Sequence, residues 1–397
     1  MESITKIYKI GHGPSSSHTM GPSRAAKFFK AKHPDAAKFR VTLFGSLCLT
    51  GKGHLTDIAI YGILGKDRTE ILWNPEFRER HPNALLFEAL SNENQIIGTW
   101  MVYSIGGGEI VDDSMQLEEK KDLYPHTKMK DILNWCHTTG HTYWEYVEMY
   151  EEHGFWDYLA EVWDVMKASV ERGIEHDGVL PGVLGLRRKA TSYYAKALSY
   201  KDSLRGRCLT YTYALAVAEE NASCGKVVTA PTCGSAGVLP AILYHSYKTH
   251  GHTEKTILKA LATGGLIGNL VKENASISGA EVGCQGEIGT ACAMASGAAG
   301  QIFGGSIFQI EYAAEMGLEH HLGSTCDPMC GLVQIPCIER CAFAAARAFD
   351  SNMYALMSDG QHRVSFDKVV EVMKQTGHDL PSLYKETSEG GLATISD

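Results

Sequence analysis

Phe39, Val41 and Leu43 alternate with polar neighbours, the two-residue period of a half-buried strand. The segments 58–61, 70–73 and 95–105 are rich in β-branched and aromatic residues and predict further strands. Residues 23–32 read as a short helix ahead of the first strand, and Gly106, Gly107 and Gly108 break the strand pattern. From about residue 155 the period turns helical. Trp156, Leu159, Val162, Trp163, Met166 and Val170 share one face, and Gly173 and Gly178 mark its end. Further helices are predicted over 211–222, 254–272, 289–303, 307–316, 337–357 and 366–375. Thr253 and Ser365 are the expected N-caps and Gly377 an expected C-terminal stop.

This change of period predicts an α+β protein divided in the polar stretch 112–155. A small α+β domain over 1–150 precedes an all-α domain over 151–397. Ala and Gly crowd several of the later helices, which permits close packing around a buried centre.

Composition narrows the function. Hydrophobic residues make up 44% of the 397 and charged residues 21%, as in ordinary globular chains. A net charge of −9 argues against nucleic-acid binding, which needs a basic face. The opening MESITKIYKI lacks the apolar run of a signal peptide, and no segment reads as a membrane span, so a cytoplasmic protein is expected. Cysteine is the informative residue. Only three of the eleven precede residue 220, and eight lie between Cys224 and Cys341. In a reducing compartment such crowding suggests a metal or cluster site.

Five stretches carry candidate chemistry. Ser15, Ser16, Ser17 and His18 form a donor-rich loop between Gly13-Pro14 and Gly21-Pro22; a helix cap is the plainer reading. Lys52 and His54 stand between glycines in a second loop. Thr229, Thr232, Gly234 and Ser235 form a small-residue stretch whose backbone N–H groups suit a carboxylate, unless it merely joins two helices. The segment 274–287 gathers Asn274, Ser276, Ser278, Glu281 and Glu287 in a buried neighbourhood, a density that points to a site. Last come Cys326, Cys330, Cys337 and Cys341. Their spacing matches no familiar cluster pattern and does not choose ligands, and structural zinc competes locally.

Taken together, these blocks resemble the single-chain bacterial L-serine dehydratases that use a 4Fe–4S cluster. The resemblance runs from GHGPSSSHTMGP through GSLCLTGKGHLTDIAI, YSIGGGEIVDD, VVTAPTCGSAG, NASISGAEVGCQGEIG and STCDPMCGLVQIPCIER to YKETSEGGLA. It implies Cys284, Cys326 and Cys337 as cluster ligands and leaves Cys330 and Cys341 as small buried residues. It also implies an N-terminal domain like the allosteric substrate-binding domain of phosphoglycerate dehydrogenase, a helical catalytic domain, a homodimer, and L-serine as substrate. Three departures stand out. Cys233 replaces a common asparagine, and the N-terminal domain is shortened between Tyr61 and Val102, with His81-Pro82-Asn83 keeping an HxN element. The tail lacks the thiol that caps the open iron in many relatives, and offers only Ser396 and Asp397.

Elimination from serine needs a base for the α-proton and help for a poor leaving group. His18 and His54 are the candidate bases, with His81 a third. A pyridoxal-phosphate dehydratase, a cysteine-degrading lyase and a non-catalytic amino-acid sensor are the competing readings.

Overall fold

A computed structural model describes the chain apart from residues 77–79, 114–120, 388 and 396–397. The tail positions Ser396 and Asp397 therefore lie outside the described residues.

The chain opens with β1 (Ile10–His12), then a π-helical turn over Ser16–Met20 that runs into α1 (Gly21–Lys32). Pro22 sits in the first turn of α1, where its missing N–H costs nothing. Strand β2 (Lys38–Phe44) is followed by α2 (Ser46–Thr50), α3 (Thr56–Leu64) and β3 (Thr69–Asn74). Because β2 and β3 pair in parallel, they need a crossover, and the two helices supply it. β4 (Ala84–Leu90), β5 (Ile96–Gly106) and β6 (Glu109–Asp112) complete a five-stranded sheet ordered β3-β2-β4-β5-β6, antiparallel beyond the first pair. Phe39, Val41 and Leu43 point into a core with Phe29, Ile60 and Leu64, so the alternation in β2 is real.

The expected strand at 58–61 lies inside α3. Thr56, Ile60 and Leu64 are buried while Ile58 is 57% exposed, so burial repeats every four residues rather than every two. β-Branched content favoured a strand, and packing against α1 overrode it.

Helices follow: α4 (Met129–Thr139), α5 (Tyr143–Tyr150), α6 (Phe155–Glu175), α7 (Ala190–Ser199) and α8 (Asp202–Ala222). After the short strand β7 (Lys226–Val228) come α9 (Val238–His250), α10 (Glu254–Asn274), α11 (Gly279–Val282) and α12 (Thr290–Ile302). α13 (Ile307–Glu319), α14 (Cys337–Leu356) and α15 (Phe366–Asp379) end the regular structure. The molecule is thus mixed α+β, mostly helical, with a small N-terminal sheet. Thr253 and Ser365 cap α10 and α15 as expected, accepting from Thr256 N and Lys368 N. Gly377 does not end α15, which continues to Asp379. The glycine instead lets Val282 approach, since a Cβ there would lie 2.5 Å from Val282 Cβ. Gly173 likewise sits within α6, against the Ala216 backbone of α8.

β7 interrupts the helical part for a reason visible at the other end of the chain. It pairs antiparallel with β1, Ile10 opposite Val228, and so docks the first residues on the helical body. Thr229 reinforces this: its hydroxyl donates to Ile7 O (2.7 Å) and accepts from Lys9 N (2.9 Å). The Tyr8 hydroxyl donates to Leu261 O (2.8 Å). This docking brings the loop that follows β1 to the centre of the molecule.

Candidate active site

The loop after β1 is held by its own hydroxyls. Ser15 Oγ accepts from His18 N (3.1 Å) and caps the π turn, which buries Ser15, Ser16, Ser17 and His18. π turns are rare and favour functional sites; a second one, over Gln285–Gly289, follows Cys284. The two turns converge. Ser15, His54, Gly234, Cys284, Glu287, Cys326, Cys337 and Glu386 line one small buried cavity where the sheet unit meets the helices.

The protonation pattern of its imidazoles follows from donor accounting. Ser46 Oγ gives its only hydrogen to Glu386 O (3.0 Å), so it must accept from His18 Nε2–H, 3.0 Å away. His18 Nδ1 is then an acceptor, with Ser17 Oγ at 2.9 Å. His54 Nδ1 is 3.0 Å from the Thr50 carbonyl, which can only accept, so this nitrogen carries the hydrogen and Nε2 bears a lone pair. The rings lie 4.4 Å apart, and both unprotonated nitrogens are 3.7 Å from Glu386 Oε1. Burial lowers the His54 pKa to about 4; His18 falls well below the usual range through burial and then the neighbouring His54. Two neutral imidazoles beside one carboxyl oxygen, with the His54 Nε2 lone pair turned toward it, favour a protonated carboxyl. Burial, then Glu287, pushes Glu386 well above the usual carboxyl range.

The thiols are equally constrained. Burial raises Cys284 to about 11 and raises Cys326 and Cys337 well above the ordinary thiol value. Glu287, also raised by burial, lies 3.9 Å from Cys326 Sγ. Gly279 allows this approach, because a Cβ there would be 2.8 Å from Glu287 Oε2 and 3.0 Å from Cys326 Sγ. Three thiols and two carboxyls in one small cavity form a donor set short of positive charge, which suits a cationic metal group. Among the described residues no three His, Cys, Asp or Glu side chains converge on a single ion. Thiols spread around a cavity fit a cluster, which takes each thiolate at a separate iron.

Other candidates fall elsewhere. Lys52 is exposed, its ammonium 5.5 Å from the Trp73 ring centre. Thr229 pins the N-terminus, and Asn274 Nδ2 donates to Thr127 O and Leu270 O. Thr232 Oγ1 contacts Ser235 Oγ at 3.1 Å, and its hydroxyl partly offsets the rise that burial causes at Glu287. His81, Ser276, Ser278 and Glu281 form a neighbouring polar nook. His81 Nε2 is 3.8 Å from Glu281 Oε1, and Ser276 Oγ bonds the same carboxylate. There His81 Nε2, Asn83 Oδ1 and Ser278 Oγ are buried without hydrogen-bond partners among the described residues. Glu287 belongs to the candidate stretch 274–287, whereas Arg340 and Glu386 were missed as site residues. Each lies inside a motif quoted above, but only folding shows that it is buried against the cysteines.

The N-terminal residues 3–72 match the family model for the serine dehydratase beta chain, and 87–393 match that for the alpha chain. The chain is 41% identical to the L-serine dehydratase of Streptomyces coelicolor, over 98% of each protein. It is 37% identical to that of Haemophilus influenzae and 38% to L-serine dehydratase 1 of Escherichia coli, over 99% of each. With both family models matched in one polypeptide and full-length relatives at this identity, the chain belongs to the single-chain bacterial L-serine dehydratase family.

Proposed function

We propose that this chain converts L-serine to pyruvate and ammonia, with a 4Fe–4S cluster held by Cys284, Cys326 and Cys337. The observation that carries the reading is the single cavity shared by those thiols, His54, Glu386 and Ser15. When bound, such a cluster supplies a Lewis acid for the departing hydroxyl. The protein supplies the proton chemistry. His54 takes the α-proton at Nε2, the nitrogen left free by its Thr50 bond. His18, held at both nitrogens by Ser17 and Ser46, positions the opposite wall. Ser15 and Gly234 line the same space, and Ser16 and Ser17 complete the donor loop. The unpartnered atoms of His81, Asn83 and Ser278 suit the ammonium or carboxylate of the substrate, since buried polar groups require partners. The aminoacrylate released then tautomerises and hydrolyses in water.

A pyridoxal-phosphate mechanism requires a Schiff-base lysine, and none lines the cavity among the described residues. We read residues 1–150 and 151–397 as two units, since strands β2 to β6 lie in the first and the three cysteines in the second. The likeness of the first unit to the substrate-binding domain of phosphoglycerate dehydrogenase belongs to the same reading. Exposed Phe343, Met353 and Tyr354 on α14, with Met357 just after it, support a homodimer, and eleven unpaired thiols support a reducing cytoplasm.

The test is anaerobic iron–sulfide reconstitution of the full chain, followed by assay on serine, threonine and cysteine. Broad visible absorption with pyruvate formed from serine is expected. Activity in metal-free protein, or none on serine in cluster-loaded protein, sinks the reading.

A further inference from the structure

Among the described residues, one cation, Arg340, acts on the cavity's acids. It stands one turn after Cys337 on α14, and its side chain is largely buried. Nη1 donates to Thr325 O at 2.6 Å, fixing the backbone one residue before Cys326. Nη2 lies 3.6 Å from Asp327 Oδ1, one residue after Cys326. The charge of the same guanidinium acts on the Cys284 thiol, opposing the rise that burial causes there. One side chain therefore springs from the helix of Cys337, grips the residues on either side of Cys326 and places its charge by Cys284. Asp327 is itself anchored, since its other oxygen accepts from Leu392 N at 2.8 Å.

We propose that Arg340 is the positioning residue of the cysteine set, supplying its counter-charge and fixing the relative placement of its three segments. The inference rests on the iron–sulfur reading above. Thiolates brought together in a buried cavity repel one another, and a fixed cation offsets that cost. A planar fork with several donors reaches a carbonyl and a carboxylate at once while holding its charge near the thiols, so lysine is an incomplete substitute. An N–H donor and a positive charge beside the sulfurs also stabilise the reduced form of a cluster.

The experiment compares wild type, Arg340→Gln and Arg340→Lys as full chains reconstituted anaerobically. Iron release to a chelator and the midpoint potential are measured, with the thermal melt of the metal-free proteins as a folding check. Arg340→Gln should release iron about ten- to a hundredfold faster, the usual cost of losing a group behind a metal ligand. Its potential should shift to more negative values. Arg340→Lys should release iron faster than wild type but keep a potential near it, because the charge remains. Release and potential both unchanged in a folded Arg340→Gln would overturn the proposal. If that variant does not fold, wild-type release from Arg340→Lys would overturn it equally. A wild type that takes up no cluster would remove the iron–sulfur reading and this inference together, a result distinct from either variant failing alone.

Discussion

Burial keeps His18, His54 and His245 neutral, and what each nitrogen touches decides what the residue does. His54 keeps a free Nε2 facing the cavity, whereas both nitrogens of His18 are engaged. His54→Asn should therefore lower kcat by about a hundredfold or more while the cluster spectrum persists. Turnover close to wild type would remove His54 from proton transfer and leave His81 as the next candidate. His245 is the counterpart outside the site. Burial, then the nearby His250, lowers its pKa to about 4, and its Nδ1 has no hydrogen-bond partner among the described residues. Between pH 6.5 and 4 the unfolded chain binds this proton and the folded one does not, so stability falls as pH falls. At pH 5 the loss from this residue alone amounts to about 2 kcal/mol relative to pH 7. His245→Leu should shrink the difference in denaturant-unfolding stability between pH 7 and pH 5 by that order. An unchanged difference would mean that His245 is not held neutral.

Glycines show best, among the elements, what a sequence reveals and what it hides. Gly173 and Gly377 read as helix ends, yet both lie inside helices where a neighbouring backbone or side chain comes too close for a Cβ. A glycine that ends a helix and one that lets two helices touch look alike until the partner is known. The same limit explains the misread segment 58–61, whose facing partner, α1, determines its burial. Capping residues are legible because they act within one turn, as Thr253 and Ser365 do. Gly173→Ala and Gly62→Ala make the contrast measurable. A Cβ on Gly173 would sit 2.2 Å from Ala216 O, so the substitution should destabilise by about 1–3 kcal/mol. Gly62 lies in α3 with nothing within 4 Å of the added atom, so alanine there should stabilise by about 0.5–1 kcal/mol. Equal effects of the two changes on chemical denaturation would contradict this account of the α6–α8 contact.

For the whole molecule, the site is assembled from both ends of the chain. Ser15 and His54 come from the first 60 residues, the cysteines from the helical part and Glu386 from the final segment. Motifs made the histidines and cysteines legible one by one, because each needs a particular side chain. Glu386 was not legible as a site residue, because its role depends on a contact 340 residues away with Ser46. The final segment acts as a strap. Cys326 N donates to Tyr384 O and Glu386 N to Cys326 O, each at 2.8 Å, while Ser46 Oγ holds Glu386 O. These bonds fix one cysteine against the segment that carries the carboxyl facing both imidazoles. Truncation after Leu383 should therefore abolish turnover and weaken iron retention. The helical core, which does not depend on the strap, should still unfold cooperatively. Glu386→Gln leaves the backbone pairing in place, so it should keep its iron and lose turnover alone. If the truncated protein retained both iron and activity, the strap would be ornamental. If Glu386→Gln lost iron as fully as the truncation, the carboxyl rather than the backbone pairing would be what holds Cys326 in place.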